Sequence, residues 1–182
     1  KNRDTPLAKA ADDYQFCLEA VYPYADYVVI NISSPNTPGL RELQSEAYLV
    51  ALLTQLMAVR QQLELQHHRM VPLLVKIAPD LDRVMLNNMI DIFLNHRVDG
   101  IIATNTSINH QAVSQHRYAT EAGGLSGSPL YEPMKTIVSW CLEQVAGQIP
   151  VIAVGGIDSP QRAQEMLRIG VAAIQVYSAF IY

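Results

Sequence analysis

The sequence predicts an α/β protein built on a parallel sheet, and three observations carry that expectation. Five short β-rich runs alternate with longer segments of helical period. The runs are nearly continuous in apolar residues instead of alternating, as expected for strands covered on both faces. Polar residues gather at the carboxyl end of each run.

The first run is Tyr27 to Ser33 (YVVINIS). A helix follows from about Ser45 to Leu65, where Leu49, Leu52, Leu53, Leu56 and Leu63 approximate one stripe and Ser45 is a plausible N-cap. The second run is Val71 to Ile77 (VPLLVKI). Asp80 or Asp82 is placed to cap the next helix, whose apolar positions include Val84, Met85, Met89, Ile92 and Phe93. Asp99-Gly100 then turns the chain into the third run, Gly100 to Asn105. A helix from about Glu132 to Val145 leads to the fourth run, Pro150 to Val154. The last helix begins at Ser159 or Pro160 and runs to Ile169, where Gly170 ends it, and the fifth run is Ala173 to Ser178. No linker, short-period repeat or low-complexity stretch divides residues 1–182, so one domain is expected.

Composition narrows the function classes. With 182 residues, 49% hydrophobic and 16% charged, the chain can bury a sizeable core. A formal net charge of -4 and a pI near 5.7, with no basic cluster, give no electrostatic case for nucleic acid. Cys17 and Cys141 are isolated from each other and from histidine, which suggests neither a disulfide framework nor a zinc site and fits a reducing cytoplasmic setting. No apolar run approaches the ~18 residues of a membrane span. His67 and His68 close a polar, glutamine-rich helix end and are expected to be solvated, and no metal site is expected. Tyr22, Tyr24 and Tyr27 are expected to pack against the segment holding Phe16 and Leu18.

The strand ends carry the chemistry. Asn31, Ser33 and Ser34 end the first run; Lys76 is near the end of the second; Thr104, Asn105 and Thr106 end the third; Gly155 and Gly156 follow the fourth; Tyr177 and Ser178 end the fifth. Ligands bind at the carboxyl ends both in a (β/α)8 barrel and in an open doubly wound sheet, so this bias leaves both folds open. A GxGxxG fingerprint after the first strand is absent, which weakens a nicotinamide-dinucleotide reading. Lys76 lies inside an apolar strand, where an unpaired ammonium is costly, and needs a partner.

The string NISSPNTPG, Asn31 to Gly39, is the most specific feature. Alone, it is ordinary turn chemistry. It resembles the substrate loop of dihydroorotate dehydrogenases, and VKIAPDL, DGIIATNT, GGLSG, PVIAVGGI and QVYSAFIY match the same family in order across essentially the whole chain. The resemblance is to the quinone-dependent class and to the C-terminal part of its catalytic (β/α)8 TIM barrel.

That resemblance implies FMN as cofactor, dihydroorotate and orotate as ligands, and a role in pyrimidine biosynthesis. Ser34 matches the catalytic base, where the cytosolic class has cysteine, and Ser33 is expected to pack or bond locally. Asn31, Asn36, Asn105 and Thr106 match substrate-holding residues; carboxamides suit a cyclic ureide because each offers an acceptor and two donors without an ionisation cost. Asn31, Lys76, Thr104 and Gly127 match contacts to the flavin. Gly155, Gly156, Tyr177 and Ser178 match its phosphate site, where glycines let backbone N–H groups approach oxygen. The implied reaction takes a C5 proton to Ser34 and a C6 hydride to the flavin, with quinone as final acceptor. Thr106 is a candidate relay neighbour for Ser34, and the polar loop from about Ser107 to Thr120 is long enough to act as a flexible cover. Two other readings are a different FMN-barrel pyrimidine reductase and a noncatalytic half-barrel that binds flavin or assembles.

A complete (β/α)8 barrel needs about 250 residues and eight strands, so the chain is expected to be an incomplete barrel of about five parallel strands. It begins with Lys1, not Met, which hints at a fragment or a processed product, and the resemblance implies a C-terminal portion of one FMN-binding barrel domain. The resemblance implies that the first strands, the N-terminal region through which quinone and membrane are approached, and the closing helix lie elsewhere. The parent protein is then expected to be peripheral, on the cytoplasmic side of the inner membrane. Self-association through open barrel edges is expected of the isolated chain.

Overall fold

The structure, a computed structural model, describes residues 1–182. Its frame is a sheet of five parallel strands in the order β1 (Val28–Asn31), β2 (Leu73–Ile77), β3 (Gly100–Ala103), β4 (Val151–Val154) and β5 (Ala173–Gln175). Each strand pairs with its neighbour in sequence, so every crossover runs through a helix and all carboxyl ends meet at one rim. Asn31 lies opposite Lys76, Ile77 opposite Ala103, and Val154 opposite Gln175. All five expected strands are present; β1 and β2 include Asn31 and Lys76, but the strands stop short of the other polar residues. Ser33, Asn105, Tyr177 and Ser178 stand in the loops beyond the ladder.

The helices are α1 (Ala10–Val21), α2 (Glu46–His67), α3 (Arg83–Asn95), α4 (Tyr131–Val145) and α5 (Pro160–Ile169). α2 buries Leu49, Leu52, Leu53, Leu56, Val59 and Leu63, the expected leucine stripe with one valine added. Ser45 holds the N-cap position but donates its hydroxyl to the Glu42 carbonyl at 2.8 Å instead of capping. Asp82, not Asp80, caps α3, accepting from the Met85 N–H at 2.8 Å. α3 turns Leu86, Met89, Ile90 and Phe93 inward and leaves Val84 and Met85 exposed. Ser159 caps α5, and Gly170, at φ 108°, ends it. The buried apolar residues form one connected cluster between sheet and helices.

Coverage of the sheet is uneven. β3 is buried throughout and β2 at all but Lys76, as expected for strands covered on both faces. β4 alternates buried and half-buried residues, and β1 and β5, each paired on one side only, are more open. The exposed residues Tyr177, Phe180, Ile181 and Tyr182 follow β5.

The tyrosine expectation is corrected. Tyr22 is fully buried, and its hydroxyl donates to the Arg69 carbonyl at 2.9 Å and accepts from the Val71 N–H at 3.2 Å. Tyr24 and Phe16 are 86% and 72% exposed and do not pack together in the core. Phe16 points away because α1 lies on α2 through Ala10 and Leu18. His68 is exposed, whereas His67 is half-buried and its ring lies 5.7 Å from that of Tyr22.

Leu53 has no exposed surface on the inner face of α2. Leu53→Ala is expected to lower stability by about 2–5 kcal/mol, since the cavity adds to the lost transfer energy. Asp82→Ala, which removes only a cap, should cost about 1 kcal/mol. Urea unfolding monitored by circular dichroism measures both, and equal costs would contradict this account of the core.

Candidate active site

The carboxyl-end rim holds a cavity of about 900 Å³ lined by Lys76, Thr104, Asn105, Thr106, Gly127, Gly155, Gly156, Tyr177 and Ser178 among others. Nine sequence-predicted residues therefore converge on one space. Asn31, Ser34 and Asn36 do not line it. Asn31 ends β1 and Ser34 and Asn36 lie in the loop that follows it, and hydrogen bonds join this segment to the cavity wall.

The join runs through β1, β2 and β3. Asn105 Nδ2 donates to Asn31 Oδ1 and to Ser33 Oγ, both at 3.1 Å. The Ser33 hydroxyl donates to the Lys76 carbonyl at 2.7 Å, and Asn31 Oδ1 also accepts from the Ser33 N–H at 3.2 Å. Ser33 is fully buried and spends its hydroxyl on this scaffold, as expected. The next residue, Ser34, is only half-buried. Its Oγ accepts from the Asn36 N–H at 3.3 Å, a local turn that leaves the hydroxyl proton available. Thr106 does not bond to Ser34: its N–H donates to Asn105 Oδ1 at 2.8 Å and its hydroxyl lies 3.5 Å from the same oxygen, because the loop after β3 folds back on itself.

Two groups facing the cavity lack partners in the chain. The Lys76 ammonium makes no ion pair or hydrogen bond, and burial pushes its pKa below the ordinary lysine range. The buried Thr104 hydroxyl has no partner either. Such groups are costly unless a ligand meets them. At the other end of the cavity a side chain on Gly155 would strike Leu130, and one on Gly156 would lie 2.5 Å from the Tyr131 nitrogen. Both glycines have positive φ, 133° and 65°, so their backbone is open to a ligand in a conformation other residues resist. Arg162 braces this end, donating to the Gly156 carbonyl, Ser128 Oγ and Asp158 Oδ2 while its guanidinium lies over the Tyr131 ring.

The expected cover is a returning loop. Ser107 and Leu125 exchange both backbone hydrogen bonds, at 3.0 and 2.8 Å, so residues 107–125 leave and rejoin the rim at one point. Both ring nitrogens of His110 face carbonyls within this loop, those of Ala119 and Gly123. A side chain at Gly124 would collide with Thr106 and Pro35, so a glycine is needed where the cover meets the Ser34 loop.

Sequence reasoning missed several residues that build the site. Arg41 contacts Ser33, Asp80 and Thr106; Asp80, expected as a possible helix cap, instead receives Arg41, Ser107 and Ile108. Tyr14 of α1 donates to the Asn31 carbonyl at 2.5 Å. The only signal for Arg41 was a lone cation between two leucines that the fold buries.

A family model described as dihydroorotate dehydrogenase matches residues 1–182. A Janthinobacterium protein named dihydroorotate dehydrogenase (quinone) is 46% identical over all 182 residues, which cover 53% of its length. A Pseudoalteromonas atlantica protein of the same name is 50% identical, with 54% of its length covered. The chain thus spans about half the length of the curated relatives it matches. The crystal structure of Eimeria tenella DHODH in complex with ferulenol superposes with a TM-score of 0.91 at 36% identity, covering 100% of this chain and 52% of that one. No helix here is long and apolar enough to cross a membrane. With its whole length matched and its strands laid as in that solved TIM-barrel relative, the chain belongs to the dihydroorotate dehydrogenase family.

Proposed function

We propose that the protein to which this chain belongs oxidises dihydroorotate to orotate with FMN as cofactor and quinone as acceptor, in pyrimidine biosynthesis. In this reading the chain is the C-terminal portion of one FMN-binding barrel domain and carries the base, much of the substrate clamp and much of the flavin cradle. The observation that supports it most is the pairing of an unpartnered Lys76 ammonium with an unpartnered Thr104 hydroxyl on one cavity, beside a loop bearing Ser34. Peripheral attachment to the inner membrane, where quinone is available, belongs to the same proposal.

Each residue has a definite task. Ser34 accepts the proton from C5 of dihydroorotate while its own hydroxyl proton passes onward to water or a neighbouring hydroxyl. The Asn36 N–H that points at Ser34 Oγ stabilises negative charge there during transfer. Asn31, Asn36, Asn105 and Thr106 present amide and hydroxyl groups to the imide edge of the substrate. Lys76, Thr104, Asn31 and Gly127 are suited to a flavin ring, the lysine by opposing negative charge at its pyrimidine edge. The Gly155 and Gly156 backbone, with Tyr177 and Ser178, is suited to a phosphate. FMN, when bound, supplies the hydride acceptor that no side chain of this chain provides.

Ser34→Ala in the full-length protein is expected to keep FMN bound and slow flavin bleaching by dihydroorotate about 10²-fold or more in stopped-flow, and Ser34→Cys to retain part of the rate. Wild-type-like bleaching in Ser34→Ala would eliminate it as the base. Bleaching by dihydrouracil but not by dihydroorotate would favour another pyrimidine reductase, and no bleaching by either a noncatalytic role.

Lys76→Met is expected to act in opposite directions on the two states. In the flavin-free protein it removes a charge whose cost is fully present below the lowered folded pKa and fades as pH climbs towards the ordinary lysine value. Thermal unfolding near neutral pH should therefore show a more stable flavin-free protein, while fluorescence titration shows weaker FMN binding. A loss of stability without flavin would refute this account.

The isolated chain has one-sided strands at both sheet edges and exposed Tyr27, Phe180, Ile181 and Tyr182. It is expected to self-associate, retain FMN weakly and lack quinone turnover. Size-exclusion with light scattering tests this, and a monomeric, yellow, quinone-active 20.2 kDa species would overturn it.

A further inference from the structure

After Gly39 the chain enters a short 3-10 turn, Leu40–Gln44, whose Leu40 and Leu43 are buried. Anchored on both sides, the Arg41 guanidinium points across the rim and donates in three directions. Its Nε reaches the Ser33 carbonyl at 3.0 Å, one terminal nitrogen Asp80 Oδ2 at 2.8 Å, and the other the Thr106 carbonyl at 2.9 Å. Asp80 is filled from the far side: Oδ1 accepts from the Ser107 hydroxyl and Oδ2 from the Ile108 N–H at 3.1 Å. The two side chains are 21% and 17% exposed, so the pair is largely desolvated, and every contact is charge-assisted.

We infer that Arg41 and Asp80 are positioning residues of the substrate half of the site, acting through the backbone of Ser33 and Thr106 and through the root of the 107–125 cover. The inference rests on the functional reading above and deepens it. Sheet ladders already hold β1, β2 and β3 together, so the pair is not needed to join the strands. What it joins are the loops beyond them, which carry Ser34, Asn36, Asn105 and Thr106 and have no ladder of their own. The phosphate end is braced separately by Arg162. A planar guanidinium suits the task because its donors diverge in a rigid fork, whereas a lysine ammonium at this position keeps the charge but cannot span three acceptors in fixed directions.

The test uses the full-length, flavin-loaded protein with Arg41→Lys, Asp80→Asn and the milder Ser107→Ala, which leaves no charge unpaired. Two readouts are needed: stopped-flow flavin reduction across dihydroorotate concentrations, and hydrogen–deuterium exchange. Because small misplacements of reacting groups cost up to about 10²-fold, Arg41→Lys is expected to lower the limiting reduction rate by ~10–10²-fold, with flavin content unchanged and apparent dihydroorotate affinity altered much less. Exchange should rise in residues 33–37 and 105–125 but not in β4 or α5. Ser107→Ala should raise it in the cover alone. Unchanged exchange in those loops, or a uniform rise with proportional loss of flavin, would overturn the positioning role and leave only a contribution to stability. If dihydroorotate fails to reduce the wild-type flavin, the functional reading falls, and the loop-specific exchange pattern alone decides whether the pair positions these segments.

Discussion

Parallel pairing of five successive strands is the constraint on which the site depends. In a parallel ladder every strand enters at one edge of the sheet and leaves at the other, so the polar residues that end the strands collect on one rim. Asn31 opposite Lys76 brings a carboxamide and an ammonium to adjacent strand ends. The Thr104 N–H then reaches the Val154 carbonyl and the Asn105 N–H the Ile77 carbonyl, extending sheet-like order two residues beyond β3. Helices supply the remaining force: α2, α3 and α4 bury the apolar faces, while the rim stays open and polar.

The rim divides into two chemically distinct ends. Around β1 to β3, apart from the unpartnered Lys76 ammonium and Thr104 hydroxyl, the groups are carboxamides and hydroxyls already bonded to one another, which fixes their directions before any ligand arrives. Around β4 and β5 the surface is glycine backbone with positive φ, packed too closely on Leu130 and Tyr131 for side chains. Such preorganisation matters for catalysis, because groups held in place cost little reorganisation when charge develops.

Two cations at this rim are treated in opposite ways. Arg41 is desolvated but compensated, with one carboxylate and two carbonyls around it. Lys76 is desolvated and uncompensated, and its proton is correspondingly easier to lose. The first arrangement ties three loop segments together, and the second leaves an ammonium without a partner at the cavity wall. An uncompensated ammonium in an otherwise buried strand costs stability, which is the physical ground for the proposed contact of Lys76 with a ligand.

The strand order, the four helices between the strands, the leucine face of α2 and the residues ending each strand were legible in the sequence, because apolar periodicity and turn chemistry are local, whereas α1 (Ala10–Val21) was not expected. So were nine of the twenty cavity-lining residues, through motifs that match one family in order. Other features depended on groups far apart in the chain. That Asp80 serves Arg41 and the cover instead of α3 was decided by where the loop after β1 sends a guanidinium 39 residues away. Phe16 was left in solvent because α1 settles on α2 through Ala10 and Leu18, and Tyr24 stands exposed in the 3-10 turn after α1. Ser33 and Ser34 are chemically identical, and only the tertiary fold separates them: the first is buried against the Lys76 carbonyl, the second half-exposed with a free proton. Sequence by itself determined which groups stand at the rim, since that follows from alternating strands and helices. Only the tertiary structure decided which partner each group takes, since hydrogen bonds and desolvation depend on contacts across loops that no local pattern encodes.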